Sequence, residues 1–339
     1  MTQNLSVPQT DFTLLEALAI SEIASRAVLE STRLGIFDVL ADVSLAPSEV
    51  AAKFEFQEAK TEALLALLAS LGLLATDAGA YRATPLAAEY LRHDSPFFMG
   101  KGMELNQRFI RSIATDFTGL LRGTADLRSD TDALWAVEDT LEGAEQFARI
   151  GPLQAAVAFL SGLPGFDRWR RMCDVGGNHG TFAMALLDKN PRLRADLVDL
   201  PEVAEAAADR IAARGYADRM TAFSCDLRKT SLESERYDLL FVSHVLYGFM
   251  DNLADVLSMF HAALTPGGWV VSHHMSPESR VPASIVQGRE FMTRMAGYST
   301  HAIGREFLEN VLREVGFDNI TVASAGHHQS SLLVAGQKA

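Results

Sequence analysis

The 339-residue chain has only two cysteines, Cys173 and Cys225, and each lies in an apolar run that reads as a strand. Buried free thiols are expected, not a disulfide, and that usage belongs to a reducing compartment. Positive charge is also scarce: 30 Lys and Arg stand against 43 Asp and Glu, a net charge of −13. A surface this acidic repels phosphate backbones, and no basic patch relieves it, so no nucleic-acid partner is expected. No apolar run reaches the ~20 residues of a membrane span. Residues 1–12 lack the basic segment and apolar stretch of a signal peptide. The expectation is a cytoplasmic protein with no membrane partner. Internal repeats and low-complexity tracts are missing as well. What remains, 48% hydrophobic and 22% charged residues, suits a globular chain long enough for two domains.

Three segments are expected. In residues 1–95, apolar positions Leu14, Leu15, Leu18, Ile23, Val28 and Leu29 recur at roughly helical spacing, and a second helical stretch runs through residues 62–68. Leu73–Thr76 then faces Tyr81–Thr84 across a turn containing Gly79, which predicts a hairpin. Helices followed by a hairpin make a winged helix. Its would-be recognition helix offers Leu and Ala where a DNA reader would carry Arg, Lys and Asn, so the module reads as dimerisation scaffold. The helix beginning near Phe12 carries more apolar residues than one face needs, as if it packs on a second copy of the chain. Residues 96–166 read as a helical linker and substrate-pocket segment rich in Phe and Met, with Arg108, Arg111 and Arg122 as cations available to an anionic substrate. From 167 to 339 strand and helix alternate. The expected strands are 171–176, 194–200, 220–226, 237–245 and 269–275, closed by an antiparallel pair at 320–325 and 330–335. That pattern predicts an α/β Rossmann-like domain with a seven-stranded sheet whose last strand is antiparallel.

The run Cys173–Gly180 follows a strand and opens a helix, so Gly176, Gly177 and Gly180 let backbone approach a ligand closely. Asp199 ends the next strand, where a carboxylate can accept both hydroxyls of a ribose. Asp226 ends the third, within reach of an adenine edge. A glycine turn alone would serve NAD equally well. Three such features at successive strand ends favour a ligand site over plain turns and surface acids.

Taken together, 174–180, Asp199-Leu200-Pro201, 223–226 and 264–268 resemble the motifs of class I S-adenosylmethionine-dependent methyltransferases. The resemblance is closest to the small-molecule O-methyltransferase family, whose members carry an N-terminal winged-helix dimerisation domain, and it covers nearly the whole chain. It implies a homodimer and S-adenosylmethionine as cofactor. It also implies that Asp174, the glycines, Asp199 and Leu200 hold the methionine and ribose parts, that Asp226 and Leu227 flank adenine, and that Ser243 lies beside the cofactor.

The chain departs from that family where the acceptor is activated. The family's His-Asp-Trp run corresponds here to Tyr247-Gly248-Phe249, and a tyrosine with a pKa near 10 is a poor base at neutral pH. Histidines stand instead at three separated segments: His244, His273 or His274, and His301. Imidazole is a common ligand of transition metals. His273 and His274 alternate faces on a strand, so one of them is expected in the pocket, and His273 is chosen. His93, His179, His261, His327 and His328 read as ordinary turn or surface residues. The combination is similar to the bacterial α-keto acid C-methyltransferases. That likeness implies that His244, His273 and His301 bind zinc or iron, that the metal chelates a 2-oxo acid, and that its C3 enolate attacks the methyl group. Tyr247, His274, Asp251 and Tyr298 are candidates for handling the C3 proton, with Tyr247 and His274 put first. Two alternatives stay open: an O-methyltransferase of a phenolic metabolite with its histidine displaced from the usual position, and a non-catalytic cofactor-binding homologue.

Overall fold

The computed structural model describes residues 7–339. The chain divides into two compact units, Met1–Glu104 and Leu105–Ala339. The helices expected as a separate segment between 96 and 166 therefore fall largely within the second unit.

In the first unit, α1 (Thr13–Leu34), α2 (Ile36–Leu40), α3 (Pro47–Phe54) and α4 (Glu58–Ser70) precede the hairpin of β1 (Leu74–Asp77) and β2 (Ala80–Ala83), and α5 (Pro85–Tyr90) follows. The register pairs Leu74 with Ala83 and Asp77 with Ala80. Two residues are left for the turn, Ala78 and Gly79, both at positive φ, as the tightest hairpin turns require. A bridge from Leu45 to Tyr81 adds a third edge to the wing. Ile36, Phe37, Leu40, Val50, Leu65, Leu68 and Leu74 form the core of this unit. α1 is different: Phe12, Leu14, Leu15, Leu18, Ile20 and Ile23 are all exposed, with Leu18 at 61% and Ile23 at 62%.

The second unit begins with the rest of α6 (Gly100–Thr115), then α7 (Phe117–Arg122), α8 (Arg128–Leu134), α9 (Glu138–Arg149) and α10 (Pro152–Ser161). The alternating part is β3 (Arg171–Val175), α11 (Thr181–Lys189), β4 (Arg194–Asp199), α12 (Pro201–Ala213), β5 (Met220–Ser224), β6 (Tyr237–Ser243), α13 (Leu253–Ala263) and β7 (Leu264–Met275). It is followed by α14 (Ala283–Met295), α15 (Arg305–Glu314), β8 (Phe317–Ala325) and β9 (Ser331–Lys338). The seven strands lie in the order β5-β4-β3-β6-β7-β9-β8, and β9 is antiparallel to both its neighbours. Side chains on a strand alternate faces, so the sheet has two cores. Trp269 and Val271 join α10, α11 and α12 on one side, and Val270 joins α13 and α15 on the other. The order reverses at β3, which lies between β4 and β6. The crevice at the carboxyl ends of those strands is where open α/β sheets bind ligands. Among the described residues no helix is long and apolar enough to cross a membrane.

Six exposed large apolar side chains on one helix and its approach exceed what a monomer surface usually carries. Replacing Leu18 and Ile23 together with Asp is expected to convert a dimer to a monomer, read by light scattering at micromolar concentration. A monomeric wild-type protein would exclude this use of α1.

Candidate active site

The site forms where β3, β4, β6 and β7 end. After Val175 the chain turns at Gly176, whose φ is 62°. Its N–H donates to the Val198 carbonyl at 2.7 Å, pinning the turn to β4. A Cβ on Gly176 would stand 2.3 Å from Cγ2 of Val245, the residue after His244. The turn and the β6 exit are therefore in contact, and only glycine permits it. At Gly177 a Cβ would meet Leu197 and Asp174, and at Gly180 it would meet Met220. These glycines answer to packing within the protein as much as to a ligand.

Asp199, at the end of β4, accepts the Asn178 N–H at 2.9 Å on Oδ2 and the Leu200 N–H at 2.8 Å on Oδ1. It thus binds the glycine turn to the neighbouring strand end, and each oxygen keeps a lone pair for a further donor. Burial pushes its carboxyl up to about 6. Asp174 sits deeper. Burial, with Asp199 nearby, raises it to about 7. Its Oδ2 and the Oδ1 of Asn178 are buried without a hydrogen-bond partner. Buried acceptors of this kind are costly alone, and an ammonium donor in the crevice would satisfy them. The acceptor set fits an amino acid with an attached ribose.

Asp226 departs from the expectation. β5 ends at Ser224, and Asp226 lies two residues into the loop, where its carboxylate takes Arg228 at 2.8 Å and Lys229 at 3.2 Å. The hydrogen bond from Arg228 leads in holding it at about 2. Arg228 also reaches Asp132 on α8 at 2.8 Å, so Asp226 anchors a cross-link. Leu227 packs at the edge of the core beside β6. Ser243, expected beside the cofactor, has its Oγ 2.9 Å from Nδ1 of His273.

The histidines converge without forming a metal site. His244 and His273 meet edge to face with ring centroids 4.7 Å apart. The His301 ring stacks on Tyr247 at 5.5 Å. Yet both nitrogens of His273 are occupied, Nδ1 by Ser243 Oγ and Nε2 by Ser331 Oγ at 3.0 Å. His301 Nδ1 is held by Thr293 Oγ1 at 2.7 Å. Among the described residues no three His, Cys, Asp or Glu side chains are placed to hold a metal ion. Of the expected ligand set of His244, His273 and His301, only His273 has both ring nitrogens engaged by hydroxyls, which leaves it no lone pair for a metal, and the structure gives the expected zinc or iron no support.

The Tyr247 oxygen accepts the Met275 N–H at 2.5 Å and lies 3.1 Å from His244 Nδ1. Burial holds its phenol above the ordinary value. His274 is 1% exposed, with Nδ1 on Ser272 Oγ. Asp251 stays exposed. Tyr298 lies under the guanidinium of Arg128, which also donates to the Gly248 carbonyl.

His244 itself is the accessible member. It follows β6 with φ of 57°, an uncommon conformation for a β-carbon-bearing residue that is often met at functional sites. Its N–H donates to the His273 carbonyl at 2.8 Å. The side chain keeps an accessible surface while the surrounding protein, with His273, His301 and Arg289, holds its pKa well below 6.5. A residue both accessible and desolvated lines a recess.

One feature of the site gave no sequence signal beyond an i,i+4 charge pair. Glu145 on α9 is 3% exposed and takes Arg149 at 2.5 Å, Arg214 at 2.6 Å and also Arg210. Arg214 reaches Thr181 as well, at the start of α11. His179, expected as an ordinary turn or surface residue, lies in the glycine turn and is 6% exposed beside this cluster, with Nδ1 accepting the Thr181 N–H. The network fastens α9 to α12 and to the turn. Burial raises the Glu145 carboxyl, but Arg214 and Arg149 outweigh it and leave it at about 2. Because the folded value is depressed, the pair's stabilisation is present above the unfolded value near 4.5 and is lost as pH falls toward 2. Glu145→Gln strands the arginines and is expected to cost about 3 kcal/mol at pH 7, with a flatter stability profile between pH 4.5 and 2, measured by urea unfolding across pH.

Two family models match the chain: the O-methyltransferase dimerisation domain over residues 17–93 and the O-methyltransferase domain over residues 154–302. A 3-hydroxy-5-methyl-1-naphthoate 3-O-methyltransferase of Streptomyces sahachiroi is 26% identical, covering 96% of this chain and 95% of its own. Among solved structures, an O-methyltransferase family protein of Burkholderia thailandensis superposes with a TM-score of 0.77 at 24% identity over 98% of this chain and 99% of its own. Human N-acetylserotonin methyltransferase in complex with S-adenosylmethionine superposes with a TM-score of 0.77 at 20% identity over 99% of each chain. The chain is an S-adenosylmethionine-dependent methyltransferase whose leading and following segments match the dimerisation domain and the O-methyltransferase domain of the O-methyltransferases.

Proposed function

We propose that the protein methylates a phenolic oxygen of a small aromatic metabolite and that His244 accepts the phenol's proton. The observation that carries this reading is the pairing of His244 with Tyr247. The position of the family's base holds a tyrosine that cannot serve, and the accessible imidazole lies three residues earlier with Nδ1 at its hydroxyl. In the tautomer that donates Nδ1–H to the Tyr247 oxygen, Nε2 presents a lone pair to the recess. A pKa below 6.5 keeps that lone pair free at neutral pH, and proton removal then accompanies methyl transfer. The naphthoate acted on by the Streptomyces sahachiroi relative, methylated at its 3-hydroxyl, supports the phenolic class.

S-adenosylmethionine supplies an electrophilic methyl group on its sulfonium sulfur. Asp199 would hold the ribose diol on its remaining lone pairs, with Leu200 beside it. The orphaned oxygens of Asp174 and Asn178 suit the amino group, and Gly176, Gly177 and Gly180 would shape the wall. The matched dimerisation domain and the exposed face of α1 support a homodimer. C-methylation of a 2-oxo acid lacks this support, since it rested on a metal that the histidine geometry does not hold.

Asp199→Ala is expected to weaken S-adenosylhomocysteine binding at least tenfold by calorimetry, since hydrogen bonds to a charged group are worth about 1.5–3 kcal/mol. With the Asp199 carboxyl at about 6 and the Asp174 carboxyl at about 7 and the ionised forms as acceptors, wild-type affinity should fall as pH drops from about 7 through 6 and level off above 7. His244→Ala should lower kcat about 100-fold or more with cofactor affinity nearly unchanged. Labelled S-adenosylmethionine offered with a panel of phenols and 2-oxo acids decides the acceptor: turnover of 2-oxo acids alone would overturn the phenolic reading.

A further inference from the structure

Several arginines around the site are engaged by described residues, and Arg289 is not. Arg108 pairs with Asp139, Arg128 with the Gly248 carbonyl and the Tyr298 ring, Arg228 with Asp226 and Asp132, and Arg294 with Glu290. Arg289, on α14, is partly buried and makes no hydrogen bond or ion pair with any described residue. Its position is defined by its own helix. Thr293, one turn on, holds Nδ1 of His301 at 2.7 Å, and residues four apart share a helix face. The His301 ring stacks on Tyr247, whose hydroxyl touches His244. Arg289 therefore lies on the face of α14 that lines the histidine recess. Its neighbour Glu290 does not neutralise it, because that carboxylate is spent on Arg294, the Thr300 hydroxyl and the His301 N–H.

We infer that Arg289 anchors a carboxylate on the aromatic acceptor, so that the substrate is a hydroxylated aromatic acid and not a neutral phenol; this rests on the phenolic reading above. A half-desolvated guanidinium without a partner is costly, and its planar fork matches a carboxylate in two parallel hydrogen bonds. The same contact would serve the chemistry. Burial first, and Arg289 after it, hold His244 and His301 below their ordinary values. A carboxylate on Arg289 offsets the arginine's contribution, which makes His244 a somewhat stronger proton acceptor once the acidic substrate is bound.

The test uses the intact protein loaded with S-adenosylhomocysteine and two probes, 3-hydroxy-2-naphthoate and 2-naphthol. Calorimetry is expected to show the acid binding at least tenfold more tightly than the naphthol. In Arg289→Gln the ratio of the two dissociation constants should fall toward one, and Arg289→Lys should restore part of it. Equal affinity of the wild type for both probes, or an equal loss for both in Arg289→Gln, overturns the inference. Binding is read without methyl transfer, so an Arg289-dependent preference for the acid in an enzyme that turns over no phenol would retain the carboxylate anchor and reject the phenolic reading alone.

Discussion

The carboxylate of Asp199 joins two parts of the chain that neither could position alone. It takes one backbone N–H from the glycine turn and one from its own strand exit. Every other feature of the crevice depends on that closure. The turn must lie close to Asp199 for Asp174 and Asn178 to be buried behind it. It must also press on Val245 for His244 to emerge where it does. The constraint has a cost: two carboxyls share a dry space, and both are raised toward neutrality. A site that binds a cationic amino acid derivative gains from stored negative charge of this kind, because the ligand relieves a strain that the fold has already accepted.

On the other side of the crevice, hydroxyls do what carboxylates or metals do elsewhere. Ser243 and Ser331 clamp His273, Ser272 holds His274, Thr293 holds His301, and Tyr247 holds His244. Hydroxyls fix a ring without lending it charge, so burial dominates and the imidazoles stay neutral, with His273 and His274 at about 3. Neutral rings beside Arg289 suit, on the reading proposed above, an acceptor that brings its own anion.

Charge does its structural work at a distance from this recess. Glu145 gathers arginines from α9 and α12, and Arg228 joins α8 to the loop after β5. These links hold helices from the stretch before the sheet against its cofactor side. They run between segments far apart in sequence, which is why the helical run from 96 to 166 reads as a linker when only its composition is considered.

Much of the fold was determined locally. Strand and helix periods, the glycine turn and acids at strand ends are short-range patterns, and the strands from Arg171 to the closing antiparallel pair fall within a few residues of where periodicity puts them. The place of Asp199 was legible for the same reason: it ends a strand beside a glycine turn. The histidines show the boundary. Their segments converge as expected, but whether an imidazole can ligate depends on the direction of its lone pairs and on what else claims them. For His273 one claimant is Ser331, 58 residues further along. Asp226 was read as a strand-end acceptor, yet a neighbouring arginine occupies it. Arg289 had no sequence signal at all. A cation becomes informative when it is half-buried with nothing to pair with, and the absence of a partner is a property of the whole packed structure, which no stretch of sequence carries.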